Sequence, residues 1–169
     1  MQFVKSRRLQ IAVSLVLLIG TLSWSQQSKT TESVPSHASI SQLLDGSCAV
    51  EKSTTFMPET LKDAFAKLTR QNTFELAKPR EPFQVGDVVM GPELPFRGLI
   101  LAGRCKDALF IHYERGGRAH TMYLVVFRSD REQLTFAGGT SGIQRATNLE
   151  ELRKSIIGEP FTTDPRCCW

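Results

Sequence analysis

Leu109-Phe110-Ile111-His112-Tyr113-Glu114-Arg115-Gly116-Gly117-Arg118-Ala119-His120-Thr121-Met122-Tyr123-Leu124-Val125-Val126-Phe127 is the stretch whose reading decides the fold. Two runs rich in aromatic and β-branched residues flank a Gly-Gly turn signal, the pattern of a β-hairpin. The stretch holds both Tyr residues of the chain and two of its three His. Its strands are predicted at Asp107 to Glu114 and Arg118 to Phe127.

Working outward, the period of two persists on both sides. Phe83 to Met90 and Arg97 to Arg104 read as strands before the hairpin, and Leu134 to Ala137 as a shorter strand after it. Gly91-Pro92-Glu93-Leu94-Pro95 is a loop, because two prolines would interrupt a ladder. Strands joined by such short connections favour an antiparallel meander, since parallel neighbours need long crossovers. Helices bracket the strands. Pro58 and Glu59 suit a helix start, and Leu61, Ala64, Phe65 and Leu68 form one apolar stripe. Thr147-Asn148-Leu149-Glu150 reads as a capping box, with Leu149, Leu152 and Ile156 on one face and Gly158 and Pro160 as stops. A shorter helix is expected from Ser39 to Gly46. The fold class is therefore α+β: a single domain with a twisted antiparallel sheet of about five strands in a meander, packed with two main helices.

The N-terminal segment is expected to be a signal peptide over residues 1–25. Lys5, Arg7 and Arg8 precede the apolar run Ile11 to Ile19, and small residues flank Trp24 at a cleavage-like site. The apolar run is well short of the roughly 20 residues of a bilayer span, so a retained anchor is the weaker reading. Residues 26–38 are polar and are expected to be a disordered spacer, which leaves 39–169 as the domain. Losing Lys5, Arg7 and Arg8 takes the formal charge from +4 to +1, so the basic balance belongs to the leader. Neither nucleic acid nor stable membrane insertion is expected as a mode of action for the rest. The product would be periplasmic or secreted.

The chemistry turns on the hairpin register. A two-residue Gly116-Gly117 turn would pair Tyr113 with His120 and place the two His on opposite faces. A three-residue Arg115-Gly116-Gly117 turn would pair His112 with His120 on one face, beside Glu114. In the second case His112, Glu114 and His120 offer two nitrogens and a carboxylate to a zinc ion. In the first they are hairpin residues with ordinary hydrogen bonds. With Tyr113 they form the candidate ligand or partner site.

Cys48, Cys105, Cys167 and Cys168 make an even count in a chain expected to be exported, which argues for disulfides. Of the three pairings, the one that joins adjacent Cys167 and Cys168 is disfavoured. The tail is expected to be tied back to Cys48 or Cys105.

Phe83-Gln84-Val85-Gly86-Asp87-Val88-Val89 resembles the Gly-Asp-aliphatic-aliphatic strand of the papain-like cell-wall amidases of the NlpC/P60 and CHAP kind. Gly116-Gly117-Arg118-Ala119-His120-Thr121-Met122-Tyr123 is similar to the strand that bears their His. The resemblance implies a Cys/His hydrolase of peptidoglycan peptides, with Cys48 as nucleophile and His120 as base. Gly138-Gly139-Thr140-Ser141-Gly142 lacks the Lys of a phosphate-binding loop, and no nucleophile elbow or dinucleotide fingerprint occurs. No cofactor is expected. The favoured reading is a non-enzymatic binding module that meets a protein or small-molecule ligand in the cell envelope. The hydrolase comes second and a metal-binding protein third.

Overall fold

A computed structural model describes residues 37–88, 93–131 and 133–168, so the expected signal peptide and most of the expected spacer lie outside the described residues. Its frame is an antiparallel sheet in the order β1-β2-β3-β4-β5, a meander throughout. The strands are Ala49–Glu51, Arg97–Arg104, Ala108–Arg115, Thr121–Asp130 and Gln133–Ser141. The helices are α1 (His37–Leu44), α2 (Glu59–Leu68) and α3 (Leu149–Ser155). The α+β class and the five-strand meander are thus as read from the sequence.

Two elements differ from expectation. Residues 83–88 form no strand but an irregular segment, with Val89 to Pro92 outside the described residues. Gln84 explains this locally, because its side-chain amide donates to the carbonyls of Gly86 (2.9 Å) and Val88 (2.6 Å). The segment curls around its own glutamine instead of extending along a neighbour. The place of the missing strand is taken by Ala49–Glu51, too short to show a period, paired with Arg104, Gly103 and Ala102. Residues 37 and 38, expected to end the spacer, belong to α1.

The central strand β3 is buried along nearly its whole length because the sheet is covered on both faces. On one face α1 and α3 bring Ile40, Leu44, Leu152 and Ile156 onto Leu101, Phe110, Leu124 and Val126. On the other, α2 and the C-terminal 3-10 turn (Pro165–Cys168) bring Leu61, Phe65 and Cys168 onto Leu99, Ile111, Tyr113 and Val125. Alternation of side chains along β3 feeds these two cores in turn. A bulge at Ile100 changes the parity of β2, so that Leu99 faces Tyr113 while Leu101 faces His112.

The α3 cap sits one residue later than the sequence pattern suggested. Asn148 Oδ1 accepts from Glu151 N–H (2.9 Å), and Glu151 Oε2 accepts in return from Thr147 N–H (2.7 Å). This is a variant of the capping box, in which the returning carboxylate takes the N–H one residue before the cap.

Candidate functional site

The hairpin adopts neither of the two registers considered from the sequence. Arg115 pairs with Thr121, Glu114 with Met122 and His112 with Leu124, so residues 116–120 form a five-residue loop. His120 therefore leaves the ladder altogether. The loop has this length because a distant segment holds it: Gly116 N–H donates to Phe96 O (3.0 Å) and Gly117 N–H to Val85 O (2.8 Å). Arg118 Nε adds an ion pair to Asp87 Oδ2 at 3.1 Å. Gly117 has φ +108°, a conformation that suits glycine, while Gly116 is needed for space. A Cβ at Gly116 would stand 1.8 Å from the carbonyl oxygen of Gln84. Gly116→Ala is accordingly expected to destabilise the chain by about 2–3 kcal/mol, read as a lowered urea midpoint, by prising the 83–88 segment from the loop.

His112 and His120 do not cooperate. His112 is fully buried, and its Nε2 lies 3.1 Å from Ala146 N and its Nδ1 2.8 Å from Tyr123 O. A backbone N–H can only donate, so Nε2 must accept, and the ring proton sits on Nδ1 and is given to Tyr123. Both nitrogens are used, which fixes one neutral tautomer and leaves no lone pair for a metal. Burial is the main cause that pushes its pKa down to about 4, helped by the nearby Arg145 charge. Among the described residues no group of three His, Cys, Asp or Glu side chains is placed to hold a metal ion. The His112, Glu114 and His120 trio considered for zinc is thus not assembled.

What converges is a different trio. Glu114, nearly buried, receives His120 Nε2 at 3.0 Å and Arg145 Nη1 at 2.6 Å on the same oxygen, Oε2. Its charge is matched by Arg145, a guanidinium well suited to a carboxylate. The Phe83 ring lies 6.1 Å from that of His120 and also packs over Gly98, where any Cβ would be 3.0 Å from the Phe83 ring. His120 and Arg145 remain about half exposed, so the cluster presents an imidazole edge and a guanidinium to solvent. Arg145 was not legible beforehand. It follows β5 in an irregular loop, 31 residues from Glu114, and no local pattern marks it.

Tyr113, counted with the candidate site from the sequence, belongs to the opposite core. It is fully buried, donates its hydroxyl to Cys168 O (2.9 Å) and stacks on Tyr123 with ring centres 5.2 Å apart. Desolvation raises its pKa well above the ordinary tyrosine value.

The cysteines form Cys48–Cys105 and Cys167–Cys168, and none is free. The disfavoured adjacent pairing is therefore the one adopted, and the tail is not tied to Cys48 or Cys105. The reason is tertiary. Cys48 precedes β1 and Cys105 follows β2, so antiparallel pairing of Ala49 with Arg104 brings their Cα atoms to 4.2 Å. The tail meanwhile lies on Gly139, whose N–H donates to Thr162 O at 2.9 Å, and a Cβ there would be 2.6 Å from Cys168 Sγ. Cys48 also sits at the far end of β2 from the hairpin loop, on the order of 20 Å from His120 for a strand of this length. A sulfur held in a disulfide and placed there is not positioned to attack with His120 as its base.

No protein-family model matches this chain, and no curated protein or solved structure matches it either. Fold and site define its class on their own terms: a small α+β domain with an antiparallel meander covered on both faces and stapled by disulfides. The disulfides are compatible with an exported protein. Among the described residues no helix is long and apolar enough to cross a membrane.

Proposed function

We propose that the chain is an exported module, periplasmic or secreted, that binds a protein or small-molecule ligand of the cell envelope without catalysing a reaction on it. The observation that carries this reading is how the reactive side chains are spent. All four Cys are oxidised in pairs, and His112 is bound at both nitrogens inside the core. His120 has a carboxylate to orient it, as a catalytic base would, but the partners its ring meets among the described residues are Glu114 and Phe83 and not a nucleophile. An oriented imidazole and guanidinium beside an aromatic ring is a recognition surface, with Glu114 as the buried anchor.

The test separates binding from hydrolysis. The unreduced full chain is denatured and titrated for thiols, then incubated in its native state with purified peptidoglycan. No free thiol and no newly released amino groups are expected. A reactive thiol at Cys48, together with peptide release that His120→Ala abolishes, would overturn the reading in favour of the Cys/His hydrolase.

A further inference from the structure

At the end of the sheet remote from the hairpin loop lies a groove of ≈ 440 Å³, lined by Arg104, Lys106 and Arg131 together with Thr60, Leu109 and Leu134. Three structural elements build it. The β2–β3 turn is closed by Cys105 N–H to Ala108 O at 2.8 Å, the β4–β5 turn carries Arg131 at φ +55°, and α2 contributes Thr60 from its first turn. None of the three cations forms an ion pair among the described residues. Among the described residues no acidic side chain lines the groove. Asp107 and Asp130 belong to the same two turns but are exposed and outside the lining, and Glu59 is engaged by Lys62 at 2.6 Å. Like charges gathered in a concave surface focus a positive potential, and the positive end of α2 adds to it.

A second, apolar hollow of ≈ 170 Å³ adjoins the first, walled by Phe56, Met57, Pro58, Leu61 and Ala102. Arg104 and Leu109 line both. Phe56 is 71% exposed, a large apolar ring at this hollow that the fold itself leaves uncovered. Glu51 is the acidic residue in this second lining, and its charge disfavours another anionic group there.

Resting on the binding-module reading, we infer that this end of the sheet binds a small amphiphilic anion. A phosphate or carboxylate head occupies the basic groove, and a short apolar body occupies the adjoining hollow. Arg104, shared by both hollows, sits where head and body join.

Calorimetric titration of the full chain with hexyl phosphate, hexanoate, hexanol and inorganic phosphate tests this, and the first two compounds separate the two head groups. At least one of the amphiphilic anions should saturate one site per chain, about tenfold tighter than hexanol or inorganic phosphate. Arg104→Gln/Lys106→Gln/Arg131→Gln should weaken it about tenfold, the sum of three modest surface attractions, and salt near 0.5 M should do the same. Phe56→Ala should weaken the amphiphile several-fold without changing inorganic phosphate. The variants are compared at matched urea midpoints, and Lys106→Gln and Arg131→Gln alone serve if the triple variant is unstable. Absence of saturable binding, affinity untouched by the charge variants, or binding confined to anionic phospholipid vesicles overturns the inference. Those failures leave the non-catalytic reading in place, which falls instead to peptide release from peptidoglycan.

Discussion

His112→Ala should lower the stability of the fold by about 4 kcal/mol, measured as a fall in the urea unfolding free energy at pH 7. The loss has two parts. The Ala146 N–H and the Tyr123 carbonyl lose their partner inside a core where Ala146 is fully buried, which costs about 1–3 kcal/mol for each group left unpaired. The vanished ring also leaves a cavity beneath α3 and the loop that leads into it. His112→Leu, close to the same volume, should recover the packing part and leave the polar part.

The same residue sets a pH dependence. With a folded pKa of about 4 against an ordinary value of 6.5, His112 is neutral in both states above pH 6.5, and its contribution is then complete. Below that, the unfolded chain takes up a proton that the native chain refuses, so stability falls as the pH drops from 6.5 towards 4. The slope is about 1.4 kcal/mol per pH unit, for a total of about 3 kcal/mol from this group. Subtracting the urea midpoints of His112→Leu from those of the parent across this range isolates the effect from the carboxylates. An equal slope in both proteins would show that His112 is charged when folded, and the tautomer assigned here would be wrong.

Cys48→Ala/Cys105→Ala should cost nearly as much. The bond closes a separation of 57 residues, which in the chain-entropy model contributes about 4 kcal/mol. It also pins β1, an edge strand of three residues that cannot hold its place by ladder bonds alone, and so keeps the edge of β2 covered. Denaturation of the variant against the oxidised parent gives the number. Adding dithiothreitol to the variant then opens only Cys167–Cys168. That pair closes no loop of any length, so the further shift should be small by comparison.

The hairpin illustrates how far local patterning reaches. Near-continuous runs of aromatic and β-branched residues from Leu109 to Tyr113 and from Met122 to Phe127 were enough to place both strands at the sheet centre, because a strand covered on both faces needs apolar side chains on each. The register was beyond local reading. It is set by backbone bonds from Gly116 and Gly117 to Phe96 and Val85, and these lie 20 or more residues away in sequence. A loop closed from outside can be any length that its partner segment requires. His112 and Glu114, marked from the sequence as candidate ligand residues, are both buried, and a polar residue in such an apolar strand must be satisfied by something. Their partners, Ala146 and Arg145, come from a loop with no motif.

The chain alone therefore determined an α+β meander with amphipathic helices and a capped α3, because periodicity, propensity and capping act within a few residues. Only the tertiary structure decided three further things: that Ala49–Glu51 and not residues 83–88 completes the sheet, that the cysteines pair as neighbours in space, and that His120 meets Glu114 while His112 does not meet His120. Each depends on which distant segments come to lie side by side. That outcome is settled by the packing of two cores on one sheet and leaves no mark on the local pattern.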